Sequence, residues 1–267
     1  AKMNKAQRDL AKDHGGFVGG VLKGGRRKID TVESRSMLSL DGDRITKEFL
    51  ETYESVFPYT SVLYTTHSST EENPRARIVC PLTRDVTPEE FVAVSRYVAQ
   101  MLGIDFFDEC SYLPNQLMYW PSTPQNGVFA YKETNGGWLD PDVILNAHPE
   151  WTDPTRLPTS SRESKANSVT QQKVQDPLSK EGVVGLFNRA YHPISKALEI
   201  FLSDVYEPTD NESRWHFIQS SSMAGVEIKE DKFVYSHHAK DPAYLKLCNA
   251  FDIVRIHHFG DKDDKAS

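Results

Sequence analysis

The chain has 267 residues, 38% of them hydrophobic and 10% aromatic, with a formal net charge of −7. That is enough for one large domain, or one domain with a small satellite. No apolar run approaches the roughly 20 residues that cross a bilayer, so no membrane partner is expected, and the cysteine usage fits a reducing, cytoplasmic setting. Cys80, Cys110 and Cys248 show no paired spacing, which excludes a disulfide framework and a Cys-rich zinc site. The acidic balance counts against a purely electrostatic nucleic-acid binder.

In chain order, residues 4–14 have helical composition. Six glycines then fall between Gly15 and Gly25, followed by Arg26-Arg27-Lys28, which with Lys23 forms a basic cluster. The glycines lack the Lys-Ser/Thr ending of a phosphate loop. They read either as a flexible turn or as backbone that approaches a nucleic acid closely. Ser36 to Leu40 reads as a strand running into Asp41. Thr46 is placed to cap a helix over Lys47 to Val56. Ser61 to Thr66 and Ala76 to Leu82 read as strands. Thr87-Pro88-Glu89-Glu90 is a helix start, with a cap, a proline at the first helical position and an acid three residues on, and the helix should run to about Met101. Leu117 to Trp120 and Val128 to Tyr131 read as strands around a Pro-rich turn. After Thr152 the hydrophobic signal fades until about Lys180. Gly182 to Leu202 reads as two helices, Trp215 to Ser236 as short strands, and Leu245 to Phe259 as a closing helix. The pattern predicts an α/β or α+β core, divided into residues 1–153, a linker or surface excursion over 154–180, and a second module over 181–267.

Three motifs in the first half carry chemistry. Asp41 and Asp43 are two apart at a strand end, so they share a face, and paired carboxylates select hard cations such as Mg²⁺ or Mn²⁺. The same residues also suit a plain turn before the helix at Thr46. His67 closes a strand, and Arg75 and Arg77 lie two apart on the next, able to grip a triphosphate. Alternatively they form a solvated edge strand paired with Glu71 and Glu72. Asp108, or Asp105 before it, supplies a third carboxylate. Two like charges as close as Asp41 and Asp43 predict that removing both relieves repulsion. In the second half, His237-His238 and His257-His258 make a poor zinc site, since adjacent strand residues point to opposite faces.

These residues resemble the archaeo-eukaryotic primase superfamily, in the primase-polymerase form found in phage and mobile-element replication proteins. Asp41 and Asp43 match that family's acid-x-acid motif. Thr65-Thr66-His67 matches its Ser-x-His motif with Thr for Ser, and Phe107-Asp108 matches its hydrophobe-Asp motif. The strings Gly15-Gly16-Phe17-Val18-Gly19-Gly20, Leu117-Met118-Tyr119-Trp120-Pro121-Ser122, Trp138-Leu139-Asp140-Pro141 and Lys232-Phe233-Val234-Tyr235-Ser236-His237-His238 extend the resemblance over most of the chain. It implies an α+β fold, with a mixed-sheet primase-polymerase core and a small, mainly helical accessory module. It implies a nucleotidyltransferase that makes primers on a single-stranded DNA template from nucleoside triphosphates. Asp41, Asp43 and Asp108 would hold Mg²⁺ or Mn²⁺, and His67, Arg75 and Arg77 would bind the nucleotide. A helicase of the virulence-associated protein E type commonly follows on the same polypeptide. Competing readings are a non-catalytic single-stranded DNA or origin-binding module and a metal-dependent nuclease.

Overall fold

In the computed structural model, which describes residues 10, 13–125, 127–163 and 175–263, the chain divides into two units. The first comprises Ala1–His148 with Pro158–Glu163, the second Pro149–Leu157 with Ser164–Ser267. The helical stretch read over residues 4–14 lies almost wholly outside the described residues, as does part of the 154–180 segment.

The first unit is built on a five-stranded sheet. Its strands are β2 (Gly20–Leu22), β3 (Val32–Gly42), β4 (Ser61–Thr65), β5 (Ala76–Val86) and β7 (Tyr131–Thr134), in the order β2-β3-β5-β4-β7. The named strands pair antiparallel, and parallel bridges at Tyr59–Gly137 and Leu82–Leu139 make the sheet mixed at its margin. Register sorts the side chains into two faces. Leu38 opposes Cys80, Leu40 opposes Ile78, and Ile78 opposes Leu63; all are buried and form the core face. The other face carries one cross-strand row, Asp41–Arg77–Tyr64–Tyr131.

Two helices follow from their caps. In α1 (Lys47–Val56), the Thr46 hydroxyl accepts from the Phe49 N–H at 3.1 Å, and Phe49 and Tyr53, one turn apart, are its buried residues. Phe49 packs edge-on against Phe106 and Phe107, which fixes the chain just before Asp108. In α2 (Pro88–Leu102), Thr87 and Glu90 close a reciprocal capping box, satisfying two backbone donors. A short helix α3 (Pro141–Ala147), capped by Asp140, has no counterpart in the sequence reading. Residues 158–163 pack into this unit through Arg96–Glu163 at 2.6 Å and Arg162–Glu109 at 2.8 Å.

The glycine-rich segment is part of this architecture. Its β1 (Gly16–Phe17) pairs with β6 (Met118–Tyr119). A Cβ on Gly20 would lie 2.0 Å from the Ser34 carbonyl oxygen, and one on Gly16 2.5 Å from that of Met118. At these positions glycine serves close backbone packing, not a flexible turn. Arg35, 1% exposed, clamps the segment. It donates to the carbonyls of Gly19 at 2.9 Å and Pro114 at 2.6 Å and stacks 4.1 Å from the Phe91 ring centroid. Burial lowers its pKa to about 10.

The second unit carries another five-stranded antiparallel sheet. Its strands are β8 (Tyr206–Pro208), β9 (Arg214–Phe217), β10 (Val226–Lys229), β11 (Phe233–Ser236) and β12 (Leu247–Asn249). Its helices are α4 (Gly182–Ala190), α5 (Ser195–Phe201) and α6 (Ala250–Asp263). Leu198, Trp215, Val226, Val234 and Ile253 lie in its core. The predicted closing helix is displaced toward the C-terminus: Leu247–Asn249 is a strand, and α6 begins only after Asn249, whose side chain accepts from the Asp252 N–H at 3.1 Å, and runs on to Asp263. Neither histidine pair lies on a strand: His237 and His238 follow β11, and His257 and His258 are in α6. His238 is buried, while His237 faces Glu227 at 3.7 Å. His257 reaches the buried Asp241 at 3.3 Å, and His258 bonds the Phe201 carbonyl. Among the described residues no three His, Cys, Asp or Glu side chains gather as a ready metal site in either unit, and no helix is long and apolar enough to cross a membrane.

Candidate active site

The row Asp41–Arg77–Tyr64 forms the floor of a cleft of about 210 Å³, whose lining also includes Asp43, His67, Arg75, Tyr119 and Trp120. Asp41 is the penultimate residue of β3 and lines the cleft. Arg77 stands directly across from it on β5. Arg77 Nη2 donates to Asp41 Oδ2 at 2.8 Å and Nη1 to the Tyr119 carbonyl at 2.6 Å. Burial works against the charge of this guanidinium, yet Asp41 more than offsets it and the pKa rises. Strand β5 lies inside the sheet, between β3 and β4, so the reading of Arg75 and Arg77 as a solvated edge does not hold. Glu71 pairs instead with Lys47 at 3.2 Å.

Arg77 holds one oxygen of Asp41 and leaves the other bare. Asp41 Oδ1 is buried with no hydrogen-bond partner. The Tyr64 hydroxyl in the same floor is also buried without a well-formed hydrogen bond; burial pushes its pKa up, and the neighbouring Arg77 opposes the rise. Asp43 sits just past the strand, 3.3 Å from Arg75 Nη1. Its pKa is raised, first by burial and then by the charge of Asp41, with Asp108 adding to the rise and Arg75 opposing it. The charges of Asp41 and Asp108 thus both disfavour an ionised Asp43, a repulsion of the kind a divalent cation relieves.

The Asp108 N–H donates to the Asp41 carbonyl at 2.8 Å, and its carboxylate caps the turn at Cys110, 3.0 Å from that N–H. Asp105 points elsewhere. It accepts from the Ser161 N–H at 2.8 Å, which with the nearby Arg162 charge lowers its pKa. Glu109 is bound by Ser160 and Arg162. Of these acids, Asp108 is the one whose charge reaches Asp43. His67 Nδ1 lies 3.1 Å from the Ser122 hydroxyl, which leaves its other nitrogen for a ligand. Tyr64, Gln116 and Ser122 line the cleft without having been singled out as site residues. Tyr64 had a signal, since it lies in β4 three residues before His67, which sits in the turn after that strand, but only the register places it opposite Arg77.

A family model described as the VapE N-terminal domain matches residues 1–160. The chain belongs to the VapE N-terminal domain family. The VapE-type resemblance read from the glycine-rich, Trp120 and Asp140 strings agrees with this match. Among solved structures, the chain is similar to the AEP domain of a cyanophage S-2L primase-polymerase, with 15% identity and a TM-score of 0.38, over 54% of this chain and 76% of that one. No curated protein matches it significantly.

The Asp41–Arg77 pair makes a testable statement about stability. Removing Asp41 strands a nearly buried guanidinium, 7% exposed at the side chain. Asp41→Ala is therefore expected to cost about 3–5 kcal/mol in urea unfolding, and the double variant Asp41→Ala with Arg77→Met should recover most of it. This reverses the expectation from the sequence alone, in which removing the acids relieves repulsion.

Proposed function

We propose that this VapE N-terminal domain chain is a primase-polymerase that joins nucleotides on a single-stranded DNA template in phage or mobile-element replication. The observation that carries the reading is the bare, buried Asp41 Oδ1 beside Asp43, in a cleft that also holds His67 and Arg75. Asp41, Asp43 and Asp108 would hold Mg²⁺ or Mn²⁺; when bound, such ions activate a hydroxyl nucleophile and neutralise a leaving pyrophosphate. In this reading Arg77 is a positioning residue that fixes Asp41. Arg75 exchanges Asp43 for a phosphate oxygen, and His67, oriented by Ser122, donates to the incoming triphosphate. Residues 1–153 supply the catalytic part, 154–180 the connecting segment and 181–267 an accessory module. A helicase on the same full-length polypeptide would use the primers.

The non-catalytic alternative draws on one observation: Asp41 and Asp43 each already face an arginine. A thermal-shift titration separates the two. With Mn²⁺ and a nucleoside triphosphate together, the melting temperature should rise by more than with either alone. No rise beyond that from Mn²⁺ alone would favour the binding module. His67→Ala should weaken triphosphate binding about 10- to 100-fold, the range for a hydrogen bond to a charged group, with template affinity unchanged. Equal triphosphate affinity in the variant would make His67 structural.

A further inference from the structure

The turn between β2 and β3 places Lys23, Arg26 and Arg27 in solvent. Among the described residues neither Lys23 nor Arg26 has a carboxylate partner. Gly24 and Gly25 adopt φ of 63° and 67°, with open space where a Cβ would stand, so nothing packs over this tip. In a chain of net charge −7, unpaired cations collected on one bare turn need a reason. One contact ties the turn to the segment that leads into the wall of the cleft, and Arg35 of β3 anchors the same segment. Arg27 Nη1 donates to the Asn115 carbonyl at 3.3 Å, and Arg35 joins the Gly19 and Pro114 carbonyls.

The same wall ends in Trp120, which lines the cleft. Its indole is 51% exposed and is backed by the Phe17 ring at 5.0 Å between centroids. Asn115 and Trp120 can be no more than about 17 Å apart along the chain, a span that a few nucleotides of one strand bridge. A half-exposed aromatic ring backed by a second ring, on the segment that Arg27 joins to a turn of unpaired cations, matches a single-stranded polynucleotide. Its phosphates meet the cations and its bases stack on the ring. A duplex keeps its base faces inside the stack and has nothing to offer the indole.

We propose that the Lys23–Lys28 turn and Trp120 form a track for single-stranded polynucleotide that delivers a template base to the edge of the cleft. The purpose of the track rests on the nucleotidyl-transfer reading, but its existence can be tested separately. The test is fluorescence anisotropy of labelled oligo-dT, oligo-rU and a blunt duplex with the full chain and three variants. K23E with R26E should weaken single-strand binding about tenfold or more near 0.1 M salt and flatten the plot of log K against log salt by about 1.4, two cations at roughly 0.7 each. W120A should weaken it about fivefold or more, and W120F, which keeps a ring on Phe17, should restore most of the loss. K23E with R26E should keep the Mn²⁺-triphosphate thermal shift of the parent. A difference between oligo-dT and oligo-rU would assign the sugar of the strand. Unchanged single-strand affinity in K23E with R26E, whose side chains are exposed and leave the fold intact, would overturn the proposal. So would duplex binding as tight as the single strand and equally weakened. A parent with no triphosphate shift, whose single-strand binding still falls as described, would sink the transfer reading and leave the track standing.

Discussion

Asp43→Asn is expected to stop nucleotide transfer while leaving the fold as stable as the parent or more so. Asp43 differs from Asp41 in its surroundings. It is about a third exposed, and its pKa is raised by burial and by the charges of Asp41 and Asp108. A carboxylate whose folded pKa is raised costs stability once pH exceeds its unfolded value. Removing the charge at neutral pH should then hold or lift the melting temperature. The same charge is what a divalent cation needs. Loss of a cation's transition-state stabilisation, several kcal/mol, corresponds to about 100- to 1000-fold in rate. Loss of activity together with an unchanged or higher melting temperature separates a functional carboxylate from a structural one. Loss of both together would place Asp43 in the fold.

The second large effect is acid destabilisation of the second unit through His238. Its Nε2 accepts from the N–H groups of Phe217 at 3.3 Å and Gly225 at 3.2 Å, and Nδ1 lies 2.9 and 3.0 Å from the hydroxyls of Ser220 and Ser222. With Nε2 accepting twice, the single ring proton sits on Nδ1 and is donated to a serine. Protonating Nε2 would break both backbone bonds. Burial lowers the pKa to about 3, with His216 and His237 adding to the fall and Asp241 opposing it. The unfolded chain takes up this proton as pH falls past about 6.5, and the folded chain refuses it until about 3. The contribution is therefore intact above pH 6.5 and declines by roughly 1.4 kcal/mol per pH unit below it. Urea unfolding between pH 7.5 and 4.5 should show that slope. His238→Gln should be less stable at pH 7.5, with two backbone donors poorly satisfied at about 1–3 kcal/mol each, yet flatter with pH. An equal slope in the variant would assign the acid sensitivity to other groups.

Helices α1 and α2 were legible because local chemistry starts them: Thr46 and the Thr87–Glu90 box act on their own backbone, and the structure has both. The α+β class followed from the same alternation of patterns. Strand β3 was read short because Glu33, Ser34 and Arg35 break its apolar alternation, and a register slip between Arg35 and Met37 does so again. Helix α3 was overlooked at seven residues, too short for a periodic stripe, although Asp140-Pro141 is a start signal. In the site, Asp41, Asp43, His67, Arg75 and Arg77 stood out because strand ends and i, i+2 spacing are local features. That Arg77 would spend itself on Asp41 was not legible, since pairing across strands depends on register. Arg35 had no signal either. Its three carbonyl partners, Gly19, Met37 and Pro114, are brought together only by the finished fold.

The most direct test of the central claim is primer synthesis on a single-stranded DNA circle with Mn²⁺ and labelled nucleoside triphosphates, comparing the parent with Asp43→Asn. The account predicts labelled products complementary to the template from the parent and none from the folded variant. A folded parent that makes no product, or a variant that makes as much as the parent, would contradict it.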